Sequence, residues 1–299
     1  MTDSDPTSHW FTSHNLRLHY VDWGNPDAEP LVLVHGGRDH CRSWDWVAAG
    51  LREDFHIVAP DLRGHGQSDY SIGSSYPMID FVYDLRRLLR ELGDRPVSIV
   101  AHSFGGVIAL LFAGIYPDLV KRIVVIEGTW LLDPAIHAPE RIPVTQRIAT
   151  WAEQLDKATT QSPRSYPTVE AAVERMMAEH RNLSPEQARH LTIHGLRKLD
   201  DGTYTWSFDP VMRLLSPTYP SQADVTQIWS QVAAPALSIR GTLSPHSDPN
   251  ELGVPRLFQD MEAVNVENAG HWAHHDQLDE VMGLIRPFLL EGRAEAASA

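Results

Sequence analysis

The sequence predicts an α/β protein, a mostly parallel sheet flanked by helices and interrupted by an inserted helical cap. Three observations predict it. Short β-rich runs alternate with helical patterns through the first half of the chain, the alternation stops between about Gly128 and Thr226, and it resumes near the end with two more strand patterns and a helix. Such alternation buries a parallel sheet between helical layers. Because it resumes, the middle is an insertion into one sheet and not a second domain in tandem. The division expected is a core of residues 1–127 and 227–299 with a cap of 128–226. A chain of 299 residues suits one large core with a subdomain, since single cores stop growing at roughly 250 to 300 residues.

In order, LRLHYVDW, LVLVHGG and HIVAPD read as strands, FVYDLRRLLREL as a helix and PVSIVAHS as a strand; a helix from Gly105 to about Tyr116 and the strand RIVVIEG come next. The cap shows no convincing buried strand but three helical patterns, PVTQRIATWAEQL, TVEAAVERMMAEH and SPEQARHLTIHGL, broken by polar or proline-rich turns. PALSIRG and EAVNVEN then return as strands before the helix QLDEVMGLIRPFLL, and the small polar tail EGRAEAASA is expected to fray.

Composition narrows the function classes. A hydrophobic share of 42% with 21% charged residues is ordinary for a folded globular protein. With 25 Lys and Arg against 39 Asp and Glu, the net charge of −14 repels a phosphate backbone and anionic lipid alike, so neither nucleic acid nor membrane is an expected partner. No apolar run reaches the roughly 18 residues of a membrane span. VIALLFAGIY, the longest, reads as a buried helix. The single cysteine, Cys41, can form no internal disulfide and the polar start TDSDPTSHW is no signal peptide, which together suggest a cytoplasmic enzyme.

The chemistry concentrates in VSIVAHSFGG, Val97 to Gly106, where an apolar strand ends on Ala-His-Ser-Phe-Gly and enters a helix. A serine nucleophile on a strained strand-to-helix turn needs small residues two places before and after it. Ala101 and Gly105 meet that need around Ser103. The helix start behind Ser103 favours developing negative charge. LVLVHGG ends in His35, Gly36 and Gly37, and the backbone N–H groups of Gly37 and Phe104 are the candidate oxyanion donors. His35 reads as structural, and Arg38, Asp39 and His40 carry no assigned role. His271, after the last predicted strand, is the candidate base, ahead of His274 and His275. A metal site in HWAHHD lacks partner ligands elsewhere, so no metal is expected.

Together LVLVHGGRDHCRSWDWVA, HIVAPDLRGHGQSD, AHSFGG and NAGHWAHHDQLDE resemble the α/β-hydrolase superfamily over nearly the whole chain. They are most similar to its capped branch of serine hydrolase-like proteins, haloalkane dehalogenases and epoxide hydrolases. The resemblance implies an eight-stranded sheet, a cap inserted after the sixth strand and a chain order of Ser, acid, His. Dehalogenases and epoxide hydrolases use an aspartate nucleophile, so Ser103 argues against both. It also implies an acid in a GxxD turn after the penultimate strand, where this chain reads Gly241, Thr242, Leu243, Ser244. Glu127, at the end of RIVVIE, resembles the alternative acid site of some haloalkane dehalogenases and zearalenone-type lactonases; Asp248 is the other candidate.

The expected function is therefore a serine hydrolase acting on a small, hydrophobic ester or lactone without a cofactor, through Ser103, Glu127 and His271. Trp130, Trp151 and Trp206, with Met176, Met177 and Met212, are candidates for an apolar roof over the site. Carbon–carbon bond hydrolysis on the same residues stays open, as does a non-catalytic ligand-binding protein, which the missing GxxD acid supports. A homodimer is also left open.

Overall fold

The computed structural model describes residues 5–73, 76–137, 141–214, 216 and 219–291. The tail from 292 onward, expected to fray, lies outside them. Eight strands form one sheet: β1 (Thr7–Ser13), β2 (Leu16–Asp22), β3 (Glu29–Val34), β4 (Phe55–Pro60), β5 (Val97–His102), β6 (Val120–Ile126), β9 (Ala236–Gly241) and β10 (Met261–Val266). Their order is β1-β2-β4-β3-β5-β6-β9-β10. The first three are joined antiparallel, and β4 through β10 run parallel. β1, which had no apolar run to announce it, pairs along its whole length with β2.

The central strands are apolar on both faces because helices cover both. On β3, Leu31 and Leu33 join one core cluster while Val32 and Val34 join the other, and β6 splits Ile123 and Val125 from Val124 and Ile126 in the same way. One cluster includes α2 (Met78–Glu91), α3 (Phe104–Ile115) and α7 (Gln222–Trp229); the other includes α1 (Asp45–Leu51) and α9 (Leu278–Leu290), with the short α8 (Ala273–Asp276) contributing Ala273. Strand order reverses at β3, which leads to β4 on one side and pairs with β5 on the other. Open parallel sheets bind ligands at such a switch point, beyond the strands' carboxyl ends.

The segment between β6 and α7 holds α4 (Val144–Thr160), α5 (Val169–Glu179) and α6 (Pro185–Gly195), matching the three helical patterns. It also holds a short hairpin, β7 (Leu196–Lys198) with β8 (Tyr204–Trp206), which pure helical periodicity did not reveal. The expected boundary at 226 falls within α7, whose Val225 and Trp229 are buried with α3 in the main core. The cap is fastened to the core by polar contacts. His40 Nε2 donates to the Leu191 carbonyl (2.9 Å), Gln187 Nε2 to the His275 carbonyl (2.9 Å), and Tyr76 donates its hydroxyl to Asp209 (2.6 Å). No helix among the described residues is long and apolar enough to cross a membrane.

Candidate active site

Three adjacent parallel strand ends and one loop build the site. β5 stops at His102, and Ser103 turns the chain into α3 with φ 50° and ψ −116°. That conformation is strained for a residue with a side chain, at a cost of about 1–3 kcal/mol, and tight packing holds it. A methyl group on Gly105 would come within 2.4 Å of the His35 carbonyl oxygen, so only glycine lets α3 start against the β3 turn. The Ser103 N–H donates to Ile126 O (2.8 Å), tying the turn to β6.

The next strand end presents Glu127, the candidate acid. Register pairs His102 with Ile126 and Ile126 with Ile239, so Glu127 lies between the ends of β5 and β9. Glu127 also has a positive φ, 58°. Its side chain is completely buried and collects donors: Gly241 N–H to Oε1 at 2.8 Å, the Ser244 hydroxyl to Oε2 at 2.6 Å, and His246 Nδ1 at 3.1 Å from Oε2. Burial alone would raise this carboxyl, but His246, His271 and Ser244 outweigh it and bring it down to about 2. Ser244, at the position of the expected GxxD acid, thus donates to the carboxylate of Glu127 one strand away.

His271 arrives on the loop after β10. Its Nε2 lies 2.9 Å from Ser103 Oγ. On the other side, Nδ1 is 3.5 Å from Glu127 Oε2, within ion-pair reach but outside hydrogen-bond geometry. Such contacts commonly tighten only when substrate binds. The loop is pinned from below by His102, whose Nε2 donates to the His271 carbonyl (2.8 Å). Burial, then the neighbouring His271, pushes the His102 imidazole well down from its ordinary value, so it serves as a neutral donor. The Gly270 N–H bonded to Asp276 (2.7 Å) and the stacking of His180 from the cap on Trp272 hold the rest of the loop. Asp248 accepts instead from Asn250 N–H (2.8 Å) and from the Asn265 amide (2.5 Å).

The β3 turn closes the fourth side. His35 accepts from Leu62 N–H at Nε2 (3.0 Å) and donates from Nδ1 to Gly36 O (2.7 Å), the structural role expected of it. A methyl on Gly37 would lie 3.7 Å from Phe104 Cβ, which puts both backbones beside the same point. Arg38 comes next with φ 66°, its N–H bonded to the buried His65 Nε2 at 2.9 Å.

Above these residues is a cavity of about 850 Å³, large for a small-molecule site. Gly37, Ser103, Phe104 and His271 line it with Trp130 and Trp206. Trp151, expected in its wall, is half-buried on α4 and is not in its lining. Of the expected methionines, Met176 and Met212 line it, and Met177 is exposed outside it. Sequence reasoning missed His102, Ser244 and His246. His102 is the free position of the elbow pentapeptide, and the stretch after β9 drew attention only through the vacant GxxD acid and through Asp248.

Comparison with known proteins agrees with this fold. A family model described as alpha/beta hydrolase fold matches residues 29–278. Esterase Rv0045c of Mycobacterium tuberculosis is 26% identical over 272 residues, covering 89% of this chain and 84% of that protein. The serine hydrolase-like protein of Danio rerio is 26% identical over 277 residues, covering 89% and 83%. A solved thioesterase domain from the curacin biosynthetic pathway superposes with a TM-score of 0.81 at 22% identity, covering 94% of this chain and 99% of that one; that likeness is one of fold.

Proposed function

Because the chain belongs to the alpha/beta hydrolase fold family, we propose that it is a serine hydrolase cleaving a carboxylic ester or lactone through Ser103, His271 and Glu127. The observation that carries this reading is the 2.9 Å contact of His271 Nε2 with the hydroxyl of a serine held at positive φ. Relatives of 26% identity that are named esterase and serine hydrolase-like protein support it.

In this reading His271 Nε2 takes the Ser103 proton as Oγ attacks the carbonyl carbon. The carbonyl oxygen becomes an oxyanion held by the N–H groups of Gly37 and Phe104, each worth roughly 10² to 10³ in turnover. Collapse expels the alcohol oxygen, which takes the proton back from His271. A water deprotonated by His271 then attacks the acyl-Ser103 carbonyl; collapse breaks the bond to Oγ, which takes the proton back from His271, and the acid leaves. The buried carboxylate of Glu127 stabilises the imidazolium formed in both steps, and His102 keeps the ring over Oγ. Trp130 and Trp206 would pack an apolar part of the substrate, which is a small molecule.

The test is covalent labelling by a fluorophosphonate, read by intact mass. Labelling of the native protein and none of Ser103→Ala is the expected result. A native protein that stays unlabelled would leave the fold without this chemistry.

A further inference from the structure

The charges that line the cavity run opposite to those of the chain. Acids outnumber Lys and Arg 39 to 25 overall, yet the lining carries four arginines, Arg38, Arg164, Arg175 and Arg213, against two acids, Asp39 and Glu179. Glu179 is paired with Arg175 on the same helix face. Asp39 is buried, and burial first of all raises its carboxyl, weakening it as a counter-charge. Arg38 and Arg213 are in none of the ion pairs among the described residues; Arg213 disfavours the charge on Arg38, and Glu179 favours it more weakly.

Both residues stand on fixed backbone, and both are solvent-exposed. Arg38 is locked by its positive φ and the His65 bond, directly after the candidate oxyanion donor Gly37. It is exposed to solvent, yet burial is the main influence lowering its pKa, as befits a side chain in a cavity. Arg213 ends the helical turn Pro210–Arg213, which is capped by the Asp209 side chain, and its guanidinium lies 5.1 Å from the centre of the Phe208 ring. Two forks of like charge lining one cavity suit a planar or tetrahedral oxyanion.

We propose that the substrate carries an anionic substituent, a carboxylate, phosphate or sulfate, that Arg38 and Arg213 receive in the cavity that Ser103 lines. This rests on the hydrolase reading and names its substrate class: a half-ester of a short diacid or an ester bearing a phosphate or sulfate group, with its apolar part against Trp130 and Trp206. A neutral lipid-like ester would leave the two arginines with only the influence of Glu179 on Arg38 to offset their charge.

The experiment compares mono-p-nitrophenyl succinate with p-nitrophenyl butyrate, esters of similar length that differ in the terminal carboxylate. Expected is a kcat/KM ratio favouring the succinate by at least about tenfold at low salt, reduced at high salt as screening requires. Arg38→Gln and Arg213→Gln should each cut the ratio about 10- to 100-fold, the range for hydrogen bonds to a charged group, with Arg38→Lys and Arg213→Lys recovering part of it. Inorganic phosphate and succinate as competing inhibitors distinguish a tetrahedral from a planar anion. Hydrolysis of the butyrate with a ratio near one, unmoved by the substitutions, overturns this inference and spares the hydrolase reading. If neither ester is hydrolysed and fluorophosphonate fails, the hydrolase reading falls. Calorimetry of monomethyl succinate binding to Ser103→Ala then decides this one, which no binding, or binding indifferent to Arg38→Gln, would overturn.

Discussion

β5 and β6 run side by side and end alike, each on a residue with a side chain held at positive φ, 50° at Ser103 and 58° at Glu127. Each of these residues also donates its N–H across to the next strand, Ser103 to Ile126 and Glu127 to Ile239. The two chain paths then diverge. Behind Ser103 a helix starts at once, so the turn pushes its hydroxyl into the cavity at a helix N-terminus. Behind Glu127 comes Gly128, packed so closely on Gly106 of α3 that a methyl there would lie 2.8 Å from the Gly106 Cα. One strained turn presents a hydroxyl to the cavity; its neighbour withdraws a carboxylate from water. The same backbone device thus serves opposite electrostatic ends, decided by what each turn is packed against.

The largest effect should come from removing the charge at the second strand end. Glu127→Gln is expected to lower kcat on a short p-nitrophenyl ester by about 10² to 10⁴, as when an orienting acid is neutralised, while Asp248→Asn stays within about threefold of the wild type. Equal losses would break the pairing of the two strand ends. A smaller effect tests whether the acid has truly changed strands. Adding Ser244→Asp to Glu127→Gln should restore at least about tenfold over Glu127→Gln alone, because Ser244 Oγ lies 2.6 Å from the present carboxylate. No recovery would mean that the β9 turn no longer points an acid at His271.

A further test separates the two ends by pH. Beneath the Ser103 turn, burial pushes His102 and His274 well down and His275 to about 3. Unfolding returns them to about 6.5. Stability is therefore intact above that pH and falls below it, by about 1.4 kcal/mol per pH unit for each proton taken up on unfolding. Glu127, held at about 2 against an ordinary 4.5, loses its contribution only as pH falls between those values. Urea midpoints measured from pH 8 to 4 should drop first in the histidine window, and Glu127→Gln should keep that first drop. A flat midpoint between pH 7 and 5 would show that these imidazoles are not kept neutral by burial.

The elbow was legible because its parts are contiguous: an apolar strand, a small residue, Ser103, and Gly105 beginning a helix. The glycine turn after β3 and His271 after β10 were legible by order, since each comes after a strand whose apolar residues announce it. β1 escaped notice because, as the outermost strand, it buries only Phe11 and Ser13 of its seven residues. The β7–β8 hairpin is three residues a side and has no periodicity to show. Trp151 shows the converse limit: helical spacing identified α4, but not which surface of the cap would face the cavity.

The sequence by itself determined the α/β class, the parallel sheet, the inserted helices, and Ser103 and His271 as a candidate pair, because apolar periodicity and local sterics act within a few residues. Only the tertiary structure decided the surroundings of the acid. Ser244 is 117 residues from Glu127 and Gly241 is 114, and only the register of β6 beside β9 brings their donors to one buried carboxylate. The same holds for Arg38 and Arg213, which share a cavity through the folding of the cap over the strand ends. Packing sets which distant groups meet, and no local rule carries that information.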